Sequence, residues 1–330
     1  MAALTATHPT LLDVAKRTDP DGSIAQIAEL LSQTNEILDD LVFMEGNLPT
    51  GHRSTIRTGL PTPTWRKLYQ GVQPGKSTTV QVTDSCGMLE AYAEVDAALA
   101  DLNGNTAAFR LSEDTAHIEG MSQEMASTLF YGNEGTEPEA FTGLAPRFNL
   151  TSAQNGDNII NANGSGSDVS SIWLCVWGPN TGFGIYPKGS QAGLKMQDKG
   201  QVTIESLNGD GGRMEAYRTH YRWDCGLVIR DWRYFVRIAN IEVSDFSTLS
   251  NTKNIIEWMT RATERVPNFG SGRAAFYMNR KLRENLRLGI IEKISSNLTW
   301  DAVSGKRVMA FDGIPVRRCD SIVNTETAIS

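Results

Sequence analysis

The sequence predicts an α+β chain in which an N-terminal arm and a long two-stranded loop extend from a mixed body of helices and strands. Three observations carry that reading. Residues 46–85 join β-favouring pieces to glycine and proline at a density that excludes long helices. Residues 106–131 form one long amphipathic run at helical spacing. Residues 172–245 contain apolar runs and a stretch of period-two alternation, the pattern of half-buried strands.

Composition sets the outer bounds. The 330 residues suggest about two domains at roughly 150 residues each. Forty per cent apolar residues are enough for a sizeable core, and 21% charged residues are too few for a disordered acidic chain. No apolar run reaches the ~18 residues of a membrane span. Residues 1–20 lack the basic start and apolar stretch of a secretory signal. Cys86, Cys175, Cys225 and Cys319 are scattered, which argues against a zinc ribbon or disulfide framework and fits a reducing cytosol. The net charge of −7 is uneven. Residues 251–318 hold 13 basic and 6 acidic residues, so the rest of the chain carries −14. Of the 31 cations, 21 are arginine, the cation suited to buried and interfacial ion pairs. An arginine-rich segment in an acidic chain points to salt bridges between copies or domains as readily as to nucleic acid.

Residues 1–45 read as an arm with one helix. Asp21 or Ser23 caps it, and Ile24, Ile27, Leu30, Leu31, Ile37, Leu38 and Leu41 recur at helical spacing. In residues 46–85, two extended strands flank a proline-interrupted tip. So long a polar segment makes sense if it packs on another molecule; the alternative is a solvated loop over a ligand site. Its stretch 52–67 holds Arg53, Arg57, Arg66 and Lys67 without one acid. Residues 88–102, rich in alanine, read as a helix, and 106–131 as a second, stopped by Gly132. Residues 132–171 read as loops. Residues 172–177 form a strand ended by Gly178-Pro179, and 216–230 alternate aromatics with Arg and Asp. Such interleaving also suits a single-strand nucleic-acid platform, but a strand meeting a neighbour or solvent is the plainer reading. A helix over 251–266 stopped by Pro267, a strand at 274–278, a helix over 281–288 and strands near 308–311 and 314–318 complete the chain.

Catalytic chemistry finds little support. The available bases are His8, His52, His117 and His220. His220 and Cys225 lie five apart on one strand, which puts them on opposite faces. Glu113, His117 and Glu124 lack a recognised ligand spacing and read as a solvated acidic face. Gly164-Ser165-Gly166-Ser167 lacks the lysine of a phosphate loop, and no hydrolase or dinucleotide motif appears. The expectation is a protein that is not an enzyme and holds no cofactor or metal.

The C-terminal residues carry a family pattern. Arg273-Ala274-Ala275-Phe276-Tyr277-Met278-Asn279-Arg280, then a helix, then Phe311-Asp312-Gly313-Ile314-Pro315-Val316 and Cys319-Asp320-Ser321-Ile322 resemble the end of tailed-phage major capsid proteins. Arm, two-stranded loop, long helix and α/β segment are similar to the Hong Kong 97-type capsid fold. Gly46-Asn47-Leu48-Pro49-Thr50-Gly51-His52-Arg53, Gly59-Leu60-Pro61-Thr62-Pro63-Thr64-Trp65-Arg66, Tyr186-Pro187-Lys188-Gly189-Ser190 and Arg230-Asp231-Trp232-Arg233-Tyr234 resemble one branch, the Bordetella podovirus group. In that branch the strand connectivity is rearranged.

The resemblance implies a virion shell of hexamers and pentamers around double-stranded DNA, with T=7 symmetry, assembled in the bacterial cytoplasm. Residues 1–45 become the arm and 46–85 the extended loop over an adjacent subunit. Residues 86–171 become the peripheral domain with its spine helix at 106–131, 172–245 mostly the axial domain, and 246–330 the rest of the peripheral domain. The implied partners are further copies of the chain, a cement or decoration protein, a portal, and DNA held without sequence-specific contacts. About 45 residues before the loop are too few for a fused scaffold, so a separate scaffolding protein is expected. Candidate inter-subunit contacts are Arg53, Arg57, Trp65, Arg66, Lys67, Arg230, Trp232 and Arg233. The alternatives are an encapsulin-like nanocompartment shell and a Cys/His-dependent enzyme.

Overall fold

The computed structural model of the chain describes Pro9 and residues 31–102, 106–205, 211–247, 252–291, 298–303 and 306–329. The predicted arm helix lies mostly outside the described residues. Its described end is one turn, α1 (Ile37–Asp40), followed by β1 (Phe43–Glu45). The predicted two-stranded loop is present as β2 (Gly51–Gly59) paired antiparallel with β3 (Thr78–Asp96), from Gly51 opposite Ser85 to Gly59 opposite Thr78. Then come α2 (Ala97–Ala100), α3 (Thr106–Tyr131), α4 (Leu144–Arg147), β4 (Ile159–Asn161), β5 (Val169–Trp177) and β6 (Gly182–Tyr186). The chain continues with β7 (Lys195–Glu205), β8 (Arg213–Ile229), β9 (Phe235–Glu242), α5 (Thr252–Arg265), β10 (Arg273–Met278) and α6 (Arg280–Ile291). It closes with β11 (Leu298–Val303), β12 (Lys306–Phe311) and β13 (Ile314–Arg318).

One prediction fails at a point that exposes its cause. Residues 88–102 are not a helix: β3 runs on to Asp96, and only Ala97–Ala100 is helical, capped by the Asp96 carboxylate accepting from Ala98 N at 2.8 Å. Burial in this stretch has period two. Ala93 and Val95 are buried and Leu89 and Ala91 half-buried, while Met88, Glu90 and Tyr92 are exposed. Alanine's helix propensity loses to sheet pairing, which β-propensity scales describe poorly.

The chain divides into two compact units. Among the described residues the smaller comprises 31–33, 88–126 and 193–224. Here α3 covers strands from β3, β7 and β8: Phe109 packs with Val95 and Ala100, and Met121 with Ala93 and Tyr221. The arginines interleaved with aromatics on β8 have partners. Arg218 Nε donates to Glu94 at 2.5 Å and lies over the Tyr92 ring, and Arg222 Nε donates to Asp224 at 2.8 Å.

The larger unit comprises residues 34–87, 127–192 and 225–330. Its main sheet has the order β11-β12-β13-β10-β5-β9-β4. The central strand β5 is buried along its whole length, as a strand covered on both faces must be. On one face Ile172, Leu174, Val176, Val236, Ile238, Phe276 and Met278 pack against Ile255 and Met259 of α5 and Leu282 and Leu286 of α6. Toward the other, Trp173 packs on Phe130 and Phe148. The described part of the arm is tied into this unit. Glu36 N donates to Arg318 O at 3.1 Å, and buried Asp40 takes Arg317 Nε at 3.0 Å and the Tyr277 hydroxyl at 3.0 Å. Much of the arginine-rich C-terminal segment is therefore paired inside its own chain. Arg280 and Arg318 share Asp320, and Arg261 pairs with Glu257.

Candidate functional site

The site is built on the β2–β3 hairpin. Its base is forced by sequence. A Cβ on Gly51 would sit 2.0 Å from Asp84 O, so only glycine lets the strands close there. The Asn47 side chain imitates a strand, with Nδ2 donating to Arg53 O at 2.8 Å and Oδ1 accepting from Arg53 N at 2.7 Å. Arg147 pins the other strand, donating to Asp84 at 2.8 Å and to the Thr142 and Leu227 carbonyls at 3.0 Å each. His52 is buried with its ring edge on Phe183 at 5.6 Å. Asn47 N donates to His52 Nδ1 at 3.3 Å, and Arg230 Nη2 lies 3.4 Å from Nε2. Burial, then the Arg230 charge, lower the His52 pKa against the opposing pull of Asp84.

Along the hairpin runs a groove of ≈ 1010 Å³. Five of the eight predicted contact residues line it: Arg53 and Arg57 on β2, and Arg230, Trp232 and Arg233 on the turn after β8. Residues 53, 55 and 57 share one face of the strand. Arg230 donates to Pro179 O at 3.0 Å and lies over the Phe183 ring. Arg233 forks onto Asp231, with Nε to Oδ1 at 2.9 Å and Nη2 to Oδ2 at 2.7 Å. Burial opposes ionisation of Asp231, but the Arg233 hydrogen bonds and charge outweigh it and hold the carboxyl below its ordinary value.

The other three predicted residues, Trp65, Arg66 and Lys67, lie in the tip, residues 60–77, and do not line the groove. All three are exposed, Trp65 at 103% and its neighbour Tyr69 at 100% of their reference areas. Leu60 and Leu68 are exposed as well. Arg66 Nε donates to Gln70 O at 3.1 Å, which folds the tip back on itself.

Sequence reasoning missed Asn47, Asp84 and Arg147. Only Asn47 carried a local signal, its place beside two turn-forming glycines. The Asp84–Arg147 pair joins residues 63 apart in sequence and had none.

Three of the four cysteines are buried. Burial pushes the Cys175, Cys225 and Cys319 thiols up, away from the thiolate. Among the described residues no three His, Cys, Asp or Glu side chains gather as a metal site, and no helix is long and apolar enough to cross a membrane.

Residues 19–330 match the family model of the major capsid protein GP7. A chain of the cryo-EM structure of bacteriophage Epsilon15 is 36% identical with a TM-score of 0.79, covering 100% of this chain and 99% of that one. The bacteriophage JBD30 capsid is 11% identical over 78% of this chain and 84% of that one, at a TM-score of 0.44. The SrpI encapsulin of Synechococcus elongatus is 12% identical over 69% and 95%, at 0.43. No curated protein matches the chain.

Proposed function

The chain belongs to the family of the major capsid protein GP7, and from that premise we propose how its surfaces build a shell. It is a major capsid protein with the Hong Kong 97-like fold of tailed-phage capsids, a self-assembling structural protein of the virion. The observation that carries the proposal is the hairpin: well fixed at its base, basic along one side, and ending in Trp65 and Tyr69 wholly in water. Covering each such side chain stabilises by about 1.5–3 kcal/mol. The surface that covers them is an adjacent subunit, over which residues 46–85 lie as the extended loop.

Around that contact we assign hexamers and pentamers in a T=7 lattice, with membership of the Bordetella podovirus branch. Residues 1–45 form the arm, 86–171 the peripheral domain with the spine helix, 172–245 mostly the axial domain and 246–330 the rest of the peripheral domain. A separate scaffold guides assembly, a portal occupies one vertex and a cement protein decorates the outside. The acidic charge outside residues 251–318 suits a wall that must not bind packaged DNA tightly, because phosphate binding needs concentrated cations. Arg57→Ala and Trp65→Ala test the loop's role. Each is expected to leave a folded subunit that assembles poorly; normal shell yield from both, counted by electron microscopy, would contradict it.

A further inference from the structure

We propose that the arginine groove is the seat for the acidic loop, residues 133–139, of a second copy of this chain. The inference rests on the shell-forming reading and names a contact within it. The groove gathers Arg53, Arg57, Arg230 and Arg233 around a single acid, Asp231, whose carboxylate Arg233 already holds. Among the described residues no other carboxylate is paired with any of the four. Arg53 and Arg57 are exposed on one strand face, four residues apart, about 13 Å along the strand.

The loop has the opposite character. It carries Glu134, Glu137 and Glu139 and no cation, and all three are exposed. It is also preformed. Thr136 N and Glu137 N donate to Asn133 O at 3.0 and 2.9 Å, and Gly135 N donates to Asn133 Oδ1 at 3.0 Å. A loop already held in shape loses little entropy on docking. It does not serve its own groove. Ser85 Oγ donates to Glu134 at 2.9 Å, and Ser85 stands opposite Gly51 at the hairpin base, whereas the groove faces Arg53 to Leu60 farther out. One copy thus presents a basic seat and a separate acidic plug. Two different complementary patches make a head-to-tail contact, which forms a ring when the rotation between copies closes.

Charge reversal tests the match. The chain is expressed with its phage's other head genes, and shells are counted by electron microscopy and sedimentation. Like charges placed across an interface suppress pairing, so Arg53→Glu with Arg57→Glu, and Glu134→Arg with Glu137→Arg, should each lower shell yield by roughly tenfold or more. Combining all four should restore it to within about threefold of the unaltered chain, the signature of direct coupling. Circular dichroism and thermal unfolding of each subunit show that it folds. A variant that fails to fold is replaced by the Gln-substituted pair, expected to weaken assembly and to remove its sensitivity to salt. Full yield from either reversed pair, or no restoration in the combination, overturns the inference. So does a reversed groove that leaves shells intact but lowers their DNA or decoration-protein content. Absence of shells from the unaltered chain would count against the shell reading itself and is therefore distinguishable.

Discussion

Arg237 and Glu326 are each about 4% exposed, and their charges meet at 2.8 Å. Two charges out of water are tolerated only when every polar atom finds a partner. Arg237 Nε donates to Ser171 Oγ at 3.1 Å, Nη1 to Phe148 O at 2.8 Å, and the guanidinium lies over the Trp173 ring. Glu326 accepts from the Tyr131 hydroxyl at 2.6 Å and from Ser171 Oγ at 2.5 Å. Burial and this carboxylate together push the Tyr131 phenol upward. Glu326→Ala should therefore destabilise the subunit by about 3–5 kcal/mol, the cost of an uncompensated buried cation, read by urea unfolding. His52 gives a second residue-scale prediction. Its pKa is lowered in the fold, so below pH 6.5 the unfolded chain takes up a proton that the folded one refuses. Stability is then lost as pH falls through that range. Relative to the intrinsic rate at each pH, amide exchange of residues 51–56 should lose protection below pH 6.5, and His52→Gln should flatten that loss; protection factors unchanged with pH would contradict it. Little of this was legible in the sequence. Glu326 in a polar tail carries no local mark, because its partner is 89 residues away.

Elements were legible where local pattern and tertiary demand agree. The helix Thr106–Tyr131 announces itself through periodicity, the strand cores of β5 and β10 through unbroken apolar runs, and the hairpin through its glycines and prolines. Where they disagree the reading failed, as in residues 88–96, whose alanines suit a helix while their alternation suits β3. β7 escaped because most of its residues are exposed and polar, leaving no apolar stripe to read. The hairpin's design yields a prediction at this scale. Its base is fixed by Gly51, Asn47 and Arg147, whereas the tip residues from 60 to 77 are almost all exposed. Replacing the tip with a two-residue Asn-Gly turn should shift subunit stability by no more than about 1 kcal/mol, as for surface changes generally. It should nonetheless abolish shells. Loss of the subunit's own fold on this replacement would show that the tip belongs to the body.

At the scale of the whole molecule, charge is sorted by address. Much of the arginine in the C-terminal segment neutralises acids of its own chain, among them Asp40, Glu36 and Asp320. A second group, Arg53, Arg57, Arg230 and Arg233, lines the groove along the hairpin. A count along the sequence locates the first group and the basic stretch 52–67, but not its union with Arg230 and Arg233, which only the fold brings beside Arg53 and Arg57. Exposed ion pairs contribute about 0–1 kcal/mol each, so a shell made of them gains its stability by repetition, and a misplaced subunit can leave. We propose that this chain closes into such a shell with its hairpin on a neighbour. Electron cryo-microscopy of particles from cells expressing it with the phage's other head genes tests that claim directly. Closed icosahedral shells in which residues 60–77 rest on an adjacent subunit are the expected result. Small soluble oligomers alone, or shells whose hairpin tips stand free in solvent, would contradict it.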